Sequence, residues 1–270
     1  MNASYIELTN YEVAFAAALI LINGLISLAL RLGLERMLLW ASLRTVVQLV
    51  LIGFVLKWVF AVKQWYVVAA LMLLMTTVAA MAAVRRTGLA YRGVYFDSML
   101  SICVSCWLIA AFALLTVMRQ VTPWYDPQYA IPLLGMILGN ALNGISLGLN
   151  RLGEELSSRR DRVETLLALG ATRWEAGRGA VQQAIRTGMI PIINSMMVVG
   201  IVSLPGMMTG QLVSGMAPIQ AVKYQIVIMF LIASATALGT VGVVSLSFLR
   251  VFNRDHQFLI ANISTARVDR

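Results

Sequence analysis

Seven apolar stretches, each close to the length that crosses a bilayer, dominate this chain: residues 12–30, 37–60, 65–84, 99–118, 130–149, 188–204 and 224–249. A helix needs about 20 apolar residues to span the hydrocarbon layer. A backbone inside lipid must also satisfy its own hydrogen bonds, so the expected fold is all-α. The prediction is a polytopic transmembrane helix bundle of about seven spans, forming one domain over residues 1–270. Composition agrees, with 60% of the 270 residues hydrophobic and only 12% charged, about half the ~25% charged usual in soluble domains. The sixth stretch is the shortest and runs into SLPGMMTGQLVSGMAP, whose glycines and prolines oppose a regular helix.

Basic residues predict the sidedness, because Lys and Arg resist translocation. With the N-terminus outside, one side receives sixteen: Arg31, Arg36, Arg85, Arg86, Arg92, Arg151, Arg159, Arg160, Arg162, Arg173, Arg178, Arg186, Arg250, Arg254, Arg267 and Arg270. The other receives Lys57, Lys63, Arg119 and Lys223, and Arg44 falls within a span. The expectation is N-terminus outside, C-terminus cytoplasmic. In that setting the net charge of +9 reports orientation and contact with membrane lipid, and no nucleic-acid partner is implied. The opening MNASYIELTN has no basic n-region of a cleavable signal, so the first span is expected to stay in the mature protein.

The large cytoplasmic feature is the segment 151–185, RLGEELSSRRDRVETLLALGATRWEAGRGAVQQAI, which fits one or two short helices. Within it Glu164 precedes Gly170 by six residues and Ala171 follows, so a helix can stop at the glycine in a left-handed cap and turn. Leu166, Leu167, Leu169 and Trp174 offer apolar surface there. A partner's groove and the lipid headgroups are both open destinations for it.

The spacing in ETLLALGA resembles the coupling loop of ABC transporter permeases. LLALGATRWEA, IPIINSMMVVGIVSLPGMMTGQLVSG and AVKYQIVIMFLIASATALGT together resemble the FetB family of metal-export ABC permeases, over nearly the whole chain. The resemblance implies a permease subunit in a bacterial plasma (inner) membrane, exporting iron. It implies two copies of this chain, partnered by a FetA-type ATP-binding subunit that holds ATP and Mg. Coupling would then fall on the elbow, at Glu164, Leu167, Gly170, Ala171 and Trp174. The residues supply an independent check. A phosphate-binding P-loop needs Gly-Lys before Ser or Thr, but Lys57, Lys63 and Lys223 follow Leu56, Val62 and Val222. This chain therefore carries no such motif, and no cofactor of its own is expected.

Candidates for a translocation path are few. Arg44 and Gln48 share a face of the second span, where they could line a polar route or snorkel to the interface. Arg44 would suit an organic anion, such as a sugar nucleotide, better than a bare cation. Asn140, Asn143 and Asn150 form a stripe beside Gly135, Gly139, Gly144 and Gly148. That pattern reads first as close helix packing and second as amide oxygens for a cation. Met207, Met208 and Gln211 in the broken segment are the most pointed soft-ligand candidates among fifteen methionines. No metal ligand set follows from the residues. Cys103 and Cys106, three apart on a helix, do not suit a disulfide, and His256 stands alone. Only Asp97 and Glu12 place carboxylates at span entrances, which lacks the parts of a proton relay. A membrane scaffold that recruits a regulator is the alternative to transport.

Overall fold

The computed structural model describes residues 9–91, 93–117, 119, 122–253, 257, 258, 264 and 265. His256, Arg92, Arg254, Arg267 and Arg270 lie outside the described residues. The elements in chain order are α1 (Asn10–Ala29), α2 (Glu35–Val62), α3 (Trp65–Arg85), β1 (Leu89–Ala90), α4 (Val94–Phe112, continued by a π-turn over Ala113–Val117), α5 (Pro127–Ser158), α6 (Arg160–Ala168), α7 (Arg173–Val198), α8 (Gly206–Val213), α9 (Pro218–Val251) and β2 (Ser264–Thr265). The two strands pair antiparallel, Leu89 with Thr265. The chain is a helical membrane bundle, as the hydropathy requires.

Helix α5 is the axis, with α3, α4, α7 and α9 packed around it. Its sequence shows why: Leu134, Ile137, Ala141, Ile145, Leu149, Leu152 and Leu156 recur every three or four residues and are all fully buried. Asp126 begins this helix by accepting from the Gln128 N–H at 2.9 Å, with Pro127 at the first helical position. Lipid is as apolar as leucine, so these inner faces are held by close packing rather than by exclusion of water. Small residues make that packing possible. A Cβ on Gly188 of α7 would lie 2.6 Å from the Gly144 carbonyl oxygen of α5, and one on Gly144 would lie 2.6 Å from Cγ2 of Thr236 in α9. Helices α5 and α7 thus cross at backbone contact, with threonine side chains of α9 closing on both, which is the packing reading of the Gly144 and Gly148 stripe.

One end of the bundle gathers the arginines. There the Arg86 guanidinium donates to Asn143 Oδ1 at 3.1 Å, the Gly88 N–H donates to Asn150 Oδ1 at 2.5 Å, and Arg250 pairs with Asp97 at 2.6 Å. The ends of α3, α5 and α9 and the starts of α4 and α7 therefore lie together, on the side the basic residues assign to the cytoplasm. Helices α1 and α2 stand outboard, tied at their turn by Ser27, whose hydroxyl accepts from the Leu34 N–H and donates to Glu35. Most of their other side chains are exposed, as lipid-facing positions would be.

Six helices of the described residues are long and apolar enough to span, not the expected seven. The shortfall is at 188–204. Of that stretch only 188–198 is helical, as the last part of α7, and the same helix carries Arg173, Glu175, Arg178 and Arg186 before it. The segment 151–185 accordingly holds the end of α5, the short α6 and the beginning of a long helix. The charges that the sequence assigns to a short cytoplasmic helix lie along the earlier part of α7, which continues to Val198 because no residue breaks it earlier, although Pro191 removes one backbone donor. Helix α7 then stops, Gly200 turns at φ +84°, and the chain folds through the short α8 into α9.

Candidate functional site

The elbow at the Arg-rich end is built by caps. Helix α6 closes with Gly170 at φ +90°. The Gly170 N–H donates to the Leu167 carbonyl and the Ala171 N–H to that of Leu166, each at 3.0 Å. This paired arrangement places glycine where any Cβ would be strained. Thr172 then starts α7 with a capping box. Its N–H donates to the Glu175 carboxylate at 2.7 Å, while its hydroxyl accepts from the Glu175 N–H at 3.3 Å. Glu164 pairs with Arg160 at 2.8 Å, both half in solvent, an interaction too exposed to hold Glu164 firmly.

Apolar surface does protrude at the turn, but not from every residue the sequence offered. Leu167 turns inward against the core, whereas Leu169 is 79% exposed and Trp174 52%. The Trp174 ring meets Phe248 of α9 edge-on at 5.8 Å. Gly177 admits that phenylalanine, since a Cβ there would lie 2.5 Å from Cε2 of Phe248. The start of α7 is thereby clasped to the end of α9.

At the opposite end, two adjoining cavities share Val199, Gln225 and Met229. The first, about 300 Å³, is lined by Met136, Asn140, Ser195, Met207, Gln225 and Met229 among others. The second, about 400 Å³, adds Met196 and Met208. Asn140 donates its amide to the Met136 carbonyl at 2.9 Å, which leaves its side-chain oxygen to meet a guest. Gln225 is 7% exposed, and its Oε1 has no hydrogen-bond partner. An unpaired buried amide oxygen costs about 1–3 kcal/mol. No charged residue lines either cavity, and among the described residues no three His, Cys, Asp or Glu side chains gather into a metal-holding group. The donors on offer are thioethers, amide oxygens and hydroxyls, neutral groups that can coordinate a passing cation without trapping it.

The structure thus joins Asn140 with Met207 and puts Met208 next door. It separates the other candidates. Asn143 is held by Arg86 at the Arg-rich end. Gln211 sits in α8 outside both cavities, with its own Oε1 buried and unpaired. Arg44 and Gln48 line a third cleft, between α2 and α3. Cys103 and Cys106 are free thiols in α4, away from these cavities. Gln225, Met136, Met229 and Ser195 were not singled out in the sequence. Gln225 carries the one readable signal, as a lone amide inside a long apolar run.

A buried polar network also escaped the sequence. Asp97, at the start of α4, accepts from the Arg250 guanidinium at 2.6 Å and from the Tyr91 hydroxyl at 2.8 Å, and that hydroxyl also meets Ser247 at 2.8 Å. Burial, more than the neighbouring Asp97, pushes ionisation of the Tyr91 phenol above the usual tyrosine range, so it stays a donor.

A helical bundle of this kind, with cavities at one end and a capped elbow at the other, defines a multi-pass integral membrane protein. The chain belongs to the uncharacterised protein family UPF0014, whose model matches residues 10–252. It is 40% identical to a UPF0014 membrane protein of Synechocystis sp., covering 85% of this chain and 88% of that protein. It is 32% identical to the probable iron export permease protein FetB of Escherichia coli, over 95% of this chain and 97% of that one. It is also 32% identical to the protein ALUMINUM SENSITIVE 3 of Arabidopsis thaliana, over 90% and 88% of the two chains. No solved structure matches it. The resemblance to FetB is borne out, and the chain is a multi-pass protein of the bacterial inner membrane.

Proposed function

We propose that this chain is the membrane subunit of an ABC transporter that exports iron or a related metal. It would act as a homodimer, driven by ATP and Mg bound in a separate FetA-type subunit. The observation that supports this most is helix α7. It begins at the elbow, crosses α5 and α9 at Gly188, and ends on the cavity wall with Ile192, Ser195 and Val199. At 1.5 Å per residue its 26 residues reach about 39 Å. A force on Leu169, Gly170 or Trp174 thus has a continuous path to the methionine and amide groups at the far end. Pro191, just beyond the crossing, interrupts the backbone ladder and is the natural place for the outer part to swing.

The cycle follows from these parts. The ATP-binding subunits close on the elbows of two protomers, α7 rocks about the Gly144–Gly188 contact, and the cavity walls change separation. Access to the path alternates, with ATP setting the direction. Neutral donors suit release, because a cargo cation bound by carboxylates would leave slowly.

The test is co-purification with a P-loop ATPase, followed by efflux of Fe²⁺ from loaded vesicles. Leu169→Asp and Gly170→Trp should abolish ATP-dependent efflux and capture of the ATPase while the permease still folds. Normal efflux in both variants would remove the coupling assignment, and no ATP-dependent movement of any metal would remove the transport reading.

A further inference from the structure

We propose that the cleft between α2 and α3 is a binding site for the phosphate of an anionic membrane lipid. The cleft encloses about 530 Å³ and is lined from α2 by Arg44, Thr45 and Gln48, and from the end of α3 by Arg85 and by Arg86 just after it. The residues follow helical periodicity on both walls. Positions 41, 44, 45 and 48 face positions 78, 81, 82, 85 and 86, so two complete helix stripes oppose one another across open space.

Charge makes that space unusual. Three guanidiniums line it and no carboxylate does. The ion pairs seen among the described residues, such as those of Arg151, Arg159, Arg160 and Arg250, involve none of these three. Arg86 is steadied by Asn143, whose Oδ1 accepts from it at 3.1 Å. Like charges without a counter-ion repel, so the cleft lacks the one component that would make it favourable, an anion. Phosphate oxygens suit guanidinium donors best, through charge-assisted and often bidentate hydrogen bonds.

The surroundings indicate a lipid source. Arg85 ends α3 at the Arg-rich face, while Arg44 lies nine residues into α2, about 14 Å along its axis. The cleft therefore runs from the interface into the hydrocarbon. Val78 and Met81 on its wall are 52% and 46% exposed, and α2 beyond it is apolar and uncovered. A headgroup fits among the arginines with its acyl chains along α2, as basic pockets between transmembrane helices hold acidic lipids. The site is independent of the cavities at the other end and of any transported cargo.

Native mass spectrometry of the full, delipidated chain tests this, with phosphatidylglycerol and phosphatidylcholine added at matched concentrations. Each arginine near an anionic headgroup strengthens binding about five-fold, so Arg44→Gln/Arg85→Gln/Arg86→Gln should weaken phosphatidylglycerol binding about a hundred-fold. Phosphatidylcholine should bind far more weakly than phosphatidylglycerol to the unaltered chain. Equal retention of phosphatidylglycerol by the triple variant, eluting as a folded species, would overturn the site. Inorganic phosphate alone provides the second arm: Arg-dependent binding as tight as that of the lipid would reassign the source to soluble phosphate. A photoactivatable phosphatidylglycerol on the unaltered chain keeps the test independent of the variants. Crosslinks should map to residues 41–48 and 78–86, and crosslinks confined elsewhere would refute the proposal.

Discussion

Gly188 and Gly144 bring two membrane helices into backbone contact, with the space for a Cβ on Gly188 ending 2.6 Å from the Gly144 carbonyl oxygen. Gly188→Ala must therefore push α7 off α5 and disturb Thr240, whose methyl is also 2.6 Å from that position. Overpacking of this kind costs about 1–3 kcal/mol. A clear fall in the thermal unfolding midpoint in detergent is expected for Gly188→Ala. Gly139→Ala serves as its comparison, because a Cβ at Gly139 meets nothing within 4 Å. Equal midpoints for the two variants would show that the crossing is looser than its geometry.

Arg250 and Asp97 should respond asymmetrically to mutation. The carboxylate is 2% exposed and the guanidinium 44%. Arg250→Gln leaves a buried anion with Tyr91 as its remaining charge-neutral donor, at a cost of about 3 kcal/mol. Asp97→Asn leaves a guanidinium that can rehydrate, so it should cost less. The double variant should recover most of the loss, and a double-mutant cycle on unfolding midpoints measures the coupling.

Much of the scaffold was legible because periodicity and caps are local. The buried stripe of α5 and the left-handed Gly170 follow from residues within a turn or two of each other. Asp97 with Arg250 does not, since the pair exists only after α4 and α9 have been laid side by side. The continuity of α7 was hidden for a different reason: its charged beginning reads as a short cytoplasmic helix and its apolar end as a separate span, whereas one helix carries both. Asn140 and Asn143 share one stripe in sequence, yet one faces the outer cavity and the other is claimed by Arg86. Nothing in the local pattern distinguishes them, because the partner comes from another helix.

Gly170 separates strain from docking. Its φ of +90° makes a β-branched residue costly, by about 1–2 kcal/mol, while asparagine enters this region more easily. Gly170→Val should lower the thermal midpoint and weaken capture of the ATPase, and Gly170→Asn should change both little. Leu169→Asp, on a side chain 79% exposed, should leave the midpoint within about 0.5 kcal/mol of its original stability and still abolish capture. Loss of capture only in step with loss of stability would mean the elbow has no recognition role of its own.

Gln225 offers the sharpest separation of stability from function. Its buried Oε1 lacks a partner, so Gln225→Leu removes an unsatisfied group and fills the same space with an apolar one. Stability should hold or rise, by up to about 1–3 kcal/mol. If the amide oxygen meets the cargo between Met207 and Met229, the same change should lower metal efflux several-fold, as expected where a destabilising polar group is kept for use. Gln225→Glu provides the contrast: a carboxylate among neutral donors should bind a divalent cation more tightly and release it more slowly, so uptake into the cavity rises as turnover falls. Thermal midpoints, equilibrium binding of Fe²⁺ and vesicle efflux, measured on the three proteins together, decide the matter. A Gln225→Leu protein that is more stable and transports normally would make the cavity a packing defect rather than part of the path.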